Sequence, residues 1–128
     1  MTTWRIGSSR VERFTLITVV GEIEHADGDR VSAALASAIA AANRRGAIID
    51  LSRLEFGDSL VLAIMAAAHS QAVDRGLPLA WVAPSGPFAT LLGIAGLSEV
   101  LALHDDLDQA RRRLDMTGSG PWPAFAGA

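Results

Sequence analysis

Ser59 is the residue whose type and position best suit it to chemistry. With Asp58 before it, it stands between a polar turn and the apolar run Leu60 to Ala68. The segment upstream, Ile48 to Leu51, reads as a buried strand. A strand that passes through a polar turn into a helix delivers Ser59 to the first helical turn. Backbone N–H groups there lack intrahelical partners, and the helix dipole is positive. A phosphate on that hydroxyl, carrying about −1.5 to −2 charge, is held electrostatically, so Ser59 reads as a switch. The pair Asp58 and Ser59 reads equally as an ordinary helix cap, contributing about 1 kcal/mol. Asp50, ending the strand, either hydrogen-bonds the loop that presents Ser59 or satisfies nearby backbone donors.

Other chemistries lack their residues. A nucleophilic serine needs a histidine base, and no Gly-x-Ser-x-Gly elbow is present. Asp105 and Asp106 are adjacent, so they do not face each other on a helix. No Walker-type phosphate loop occurs. The chain has no cysteine, which excludes disulfides and thiolate zinc sites. His25, His69 and His104 lack metal-ligand spacing, and His69 is expected as a half-exposed packing residue of an apolar helix. Neither enzymatic activity nor a cofactor nor a metal is expected.

The 128 residues fit one domain, and half of them are hydrophobic, enough for a core without staples. The formal charge is −3 and every basic residue is an arginine, a balance that argues against nucleic acid as partner. Arg111 to Arg113 lie among Asp105, Asp106, Asp108 and Asp115 and read as a solvated helix face. The N-terminus lacks a signal-peptide profile, and the run Leu60 to Ala68 is too short to span a bilayer. The expectation is a cytoplasmic protein without direct membrane insertion.

These residues must be positioned by alternating elements. Trp4 to Val11 and Phe14 to Ile23 read as strands joined by a tight turn, an antiparallel hairpin. Asp27 is a plausible cap for a helix over Asp29 to Arg45, where Val31, Leu35 and Ile39 fall four apart. Gly46 is its stop. Ala47 to Leu51 and Leu79 to Ala83 read as strands buried on both faces, separated by a helix from Ser59 to about Arg75. A short helix near Phe88 to Ala95, a strand Val100 to His104 and a helix Leu107 to Leu114 complete the pattern. The expected fold is an α/β sandwich: a mixed, mostly parallel sheet of about five strands with four helices and an opening β-hairpin. It occupies residues 1–117, with 118–128 a flexible tail.

In this order the residues resemble the STAS family, whose founding members are bacterial anti-sigma factor antagonists. Gly21-Glu22-Ile23-Glu24-His25 is similar to that family's Gly-Glu-Leu-Asp turn, with Glu24 where aspartate is typical. Ile48 to Ser52 is similar to its central strand, and Phe56-Gly57-Asp58-Ser59 to its phosphorylation loop. Pro84-Ser85 and Ile94 to Leu97 are similar to its third helix and the turn after it. Leu60 and Val61 stand where the family has a small residue and then glycine.

The resemblance implies a regulatory protein-binding module. It would bind a kinase-type anti-sigma factor through Glu24, Asp58, Ser59, Leu60 and Val61. Phosphorylation of Ser59 by that kinase would break the complex, and a phosphatase would restore it. The alternative is a non-phosphorylated STAS-like accessory subunit of a lipid-transport ATPase, which Leu60 and Val61 favour, or a scaffold that pairs with itself as a homodimer. Trp81 reads as core rather than contact.

Overall fold

A computed structural model describes residues 3–56, 59–84, 90, 101 and 103–117, without the side chains of Phe56, Ser59 and Thr117. Two strands open the fold, β1 (Trp4–Val11) and β2 (Phe14–Glu22), paired antiparallel from Trp4 opposite Gly21 to Val11 opposite Phe14. A 3₁₀ turn (His25–Asp27) leads into α1 (Gly28–Ala41), with Asp27 at its N-cap position. Then come β3 (Ala47–Asp50), β4 (Leu54–Phe56), α2 (Ser59–Arg75), β5 (Leu79–Val82), β6 (Leu103–His104) and α3 (Leu107–Thr117). The sheet runs β1-β2-β3-β5-β6, with β4 also on β2, and every pairing except β1 with β2 is parallel.

Strand residues alternate between two cores, as the pleat requires. Ile17, Ile49 and Trp81 lie in one row across β2, β3 and β5. They pack with Leu35 and Ile39 of α1 and Met65 and Ala68 of α2. The opposite row, Ile48 and Ala80 with Phe14 and Val82, packs on Ala110 and Leu114 of α3. Trp81 is fully buried, as its reading as core requires, and truncating such a residue to alanine costs about 3–5 kcal/mol.

The expected elements recur with instructive differences. Among the described residues the sheet has six strands, because Leu54–Phe56 forms β4. Asp50 causes this: its Oδ1 accepts the Ser52 N–H at 2.9 Å, bending the chain out of β3. The Leu54 N–H then closes the turn on the Leu51 carbonyl at 3.0 Å, and the chain rejoins β2 with a register shift at Gly21 and Glu22. Asp50 thus satisfies a nearby backbone donor.

Helix α1 stops at Ala41 rather than Arg45. Ala42 is extended (φ −65°, ψ 145°), and Asn43 is held outside the helix. Its N–H donates to Thr15 Oγ1 at 3.1 Å, and its Nδ2 donates to the Arg13 carbonyl at 2.8 Å. The described helices are three α-helices and the 3₁₀ turn. The helix expected near Phe88 to Ala95 lies outside the described residues except for Thr90, as do most of the expected strand start at Val100 and the whole tail 118–128. His69 is not half-exposed: it is 3 % exposed, because the 17-residue helix turns it into the core beside Met65 and Ala72.

Candidate functional site

The two segments read as functional are brought together by β2 and β4. Phe56 pairs with Glu22 and Leu54 with Gly21, so the end of β4 and the end of β2 emerge side by side. Three residues after Phe56, α2 begins at Ser59. Two residues after Glu22 comes Glu24. A parallel pair places both exits on one edge, which an antiparallel connection would not do.

Glu24 is exposed and held in place by its neighbours. Ile23, 2 % exposed, anchors the chain below it. The Glu24 N–H donates to Asp27 Oδ2 at 3.0 Å, and its carbonyl accepts the Asp27 N–H at 2.9 Å. Gly21 makes the approach possible. At φ +104° it sits where side chains are strained, and a Cβ there would overlap the Thr3 carbonyl. That carbonyl accepts the Glu22 N–H at 3.0 Å, and Thr3 Oγ1 donates to the Glu22 carbonyl at 3.0 Å.

On the α2 side, Leu60 is partly buried and packs on Gly28 at the start of α1. Val61 corrects the expectation set for it. It is 3 % exposed and belongs to the core under the sheet, so it offers no area to a visitor. The helix period explains this: Val61, Met65 and Ala68 share one buried stripe, whereas Leu60 is turned toward α1. Asp58 lies outside the described residues.

The arginines of α3 are a solvated, self-paired face. Arg111 meets Asp108 at 2.6 Å, Asp115 at 3.1 Å and Glu12 at 3.6 Å. Arg112 meets Asp108 at 2.8 Å, and Arg13 pairs with Asp115. The hydrogen bond from Arg111 lowers the Asp108 carboxyl below its usual range. Sequence reasoning missed that His25, Gly28 and Asp29 line one cavity with Leu60; no local pattern marks a contact between the starts of α1 and α2. Among the described residues no helix is long and apolar enough to cross a membrane.

Among the described residues, a parallel-centred sheet with two helices on one face, one on the other, and a strand-turn-helix exit beside the end of β2 defines an α/β domain of sandwich type. The family model described as "Mlab, STAS domain" matches residues 6–105. The chain belongs to the STAS-domain family. No curated relative matches the sequence. Among solved structures, it is similar to an anti-sigma factor antagonist from Mycobacterium paratuberculosis, with 22 % identity and a TM-score of 0.73, over 88 % of this chain and 94 % of the other. SpoIIAA, an anti-sigma factor antagonist in its unphosphorylated form, matches at 19 % identity and TM-score 0.69, over 88 % and 97 %. The Bacillus cell fate determinant SpoIIAA in its phosphorylated form matches at 20 % and 0.62, over 86 % and 99 %. At these identities the likeness is one of fold.

Proposed function

We propose that this chain is a regulatory protein-binding module that docks a kinase-type anti-sigma factor on the surface around Glu24, Asp58, Ser59 and Leu60, under control of phosphorylation at Ser59. The observation that carries this reading is the pairing of Phe56 with Glu22, which sets the start of α2 and the Glu24 turn at one edge. Two further points support it: the STAS family membership, and the fold shared with SpoIIAA, a protein described in unphosphorylated and phosphorylated forms.

The mechanism is electrostatic mismatch rather than refolding. A phosphate at the first turn of α2 is stabilised by about 0.3–1 kcal/mol through the helix terminus, and opposed by the nearby carboxylates. The domain's own stability therefore changes little. The partner instead meets a dianion where its surface suits a neutral hydroxyl, which costs several kcal/mol of binding. Burial of Val61 removes one obstacle to this reading, since its branched side chain adds no bulk outside.

Isothermal titration with a kinase-type anti-sigma factor tests it. Ser59→Asp is expected to weaken binding at least about tenfold, the equivalent of 1.4 kcal/mol, while Ser59→Ala binds as the parent does. Equal affinities overturn the switch. A second reading, a constitutive accessory subunit of a lipid-transport ATPase without phosphorylation, is favoured by Leu60, a large apolar residue of the first turn that keeps part of its surface outside. It requires binding to the ATPase subunit that ignores Ser59→Asp.

A further inference from the structure

Helix α3 covers only part of the sheet face on which it lies. Its Ala110 and Leu114 pack with Ile48, Ala80 and Val82, and of β2 only Phe14 and Leu16 join that core among the described residues. The same face continues outward onto β1. Opposed residues of an antiparallel pair share a face, so Ser9 with Leu16, Gly7 with Thr18 and Arg5 with Val20 form this outer half. Leu16, Thr18 and Val20 are half-buried, and their partners on β1 are exposed. On the opposite face β1 is engaged, since Trp4 and Ile6 pack on the core that holds α1 and α2. Gly7 leaves a hollow in the outer half-face: a Cβ there would meet nothing within 4 Å.

The chain that follows α3 has the chemistry and the length for this surface. Residues 118–128 carry no charged side chain, and their two large side chains are Trp122 and Phe125. Arg111 pairs with Glu12 and Asp115 with Arg13, so α3 ends beside the β1–β2 turn. Gly118 and Gly120 supply the freedom to turn back there. Pro121 and Pro123 flank Trp122, and a residue before proline favours extended backbone. Polyproline II makes one turn in three residues, so in that form Trp122 and Phe125 face the same side about 9 Å apart.

We propose that residues 118–128 turn back from α3 and lie along β2 on this half-face, with Trp122 on Leu16 beside Gly7 and Phe125 between Thr18 and Val20. The distances agree. Leu16 lies two residues past Phe14, about 7 Å along the strand, and Val20 lies six past it, about 20 Å. Trp122 is five residues past Thr117 and reaches about 15 Å, whereas Phe125 is eight past it and reaches about 25 Å. The excess in each case spans the step from the end of the helix to the sheet. A large aromatic ring laid over a strand glycine covers the backbone that glycine leaves bare. Arg5, opposite Val20, is placed to meet the Phe125 ring, much as Arg13 lies over Phe14 at 4.9 Å.

Nuclear magnetic resonance on the isotope-labelled full chain tests this. The Trp122 indole signal is the one lost in Trp122→Ser. It should show nuclear Overhauser contacts to the Leu16 methyls, and the Phe125 ring should show them to the Val20 methyls, both unchanged on dilution. Trp122→Ser with Phe125→Ser should shift the amides of Gly7, Ser9, Leu16, Thr18 and Val20 and leave those of α1 and α2 in place. Gly7→Lys fills the hollow from an open position, so it should abolish the tail contacts while the other strand contacts persist. Absence of tail-to-β2 contacts in the parent, amide changes confined to residues 118–128, or contacts that survive Gly7→Lys overturn the proposal. Contacts that fade on dilution overturn it too, because they assign the half-face to a second copy of the chain.

Discussion

Gly28 and Leu60 lie against each other where α1 and α2 begin, close enough that a Cβ at Gly28 would overlap Leu60 Cδ2. Gly28 itself is ordinary helix, at φ −51° and ψ −49°, so its role is space and not backbone freedom. The obstructing atom is the end of a partly buried side chain that can swing aside. Gly28→Ala is expected to change stability by no more than about 1 kcal/mol, since improved helix propensity offsets the displacement of Leu60. In a urea double-mutant cycle, Leu60→Ala should cost less in the Gly28→Ala background than in the parent, because the two sites share one volume.

Gly21 behaves differently, since both its conformation and its surroundings exclude a side chain. Its φ of +104° is strained for alanine, and the obstructing atom is the Thr3 backbone carbonyl rather than a flexible tip. Gly21→Ala should cost about 2 kcal/mol or more and disrupt the Thr3–Glu22 hydrogen bonds. Chemical denaturation measures the first, and hydrogen exchange at Glu22 the second.

Burial lowers the His69 pKa below its ordinary value of 6.5. His104 is lowered as well, by burial first and then by Arg113, against the opposing pull of Asp105 and Asp106. A lowered folded pKa means that the unfolded chain takes up the proton first as pH falls. Stability is therefore complete above about 6.5 and declines as pH drops from there toward the folded values. Asp108, held low by Arg111, contributes stability that is present above its ordinary 3.8 and is lost only at still lower pH. The urea midpoint of the parent should fall between pH 7.5 and 5.5, and His69→Met should lose a smaller part of its midpoint over that interval. Identical slopes for the two proteins would contradict this.

Arg111, itself partly buried, joins the half-buried Asp115 and the exposed Asp108 and Glu12. Screening should dominate such a network. Arg111→Ala should lower the melting temperature slightly in low salt, and the difference should vanish near 1 M NaCl. A difference that persists there would assign Arg111 a packing role through its aliphatic stem.

Local pattern alone determined most of the element order. The four-residue spacing of Val31, Leu35 and Ile39 marks α1, the change from polar turn to apolar run marks the start of α2 at Ser59, and the continuous apolar stretches mark β3 and β5. These signals are legible because helix and strand periods are written residue by residue into what must be buried. Boundaries were less legible. The early end of α1 depends on Asn43 reaching Thr15 and Arg13, and β4 depends on an Asp50 turn and on β2 being present to pair with.

The tertiary structure alone decided which side chains of the candidate site are available. Leu60 and Val61 are neighbours in sequence with similar chemistry, yet one packs at the α1–α2 edge and the other lies 3 % exposed in the core. A step of about 100° around the helix separates them, and only the placement of the sheet and α1 tells which direction is inside. The adjacency of Glu22 to Phe56, and that of Gly28 to Leu60, arise in the same way. They join residues more than thirty positions apart in sequence, and no local period specifies a contact between elements that must first fold and pair.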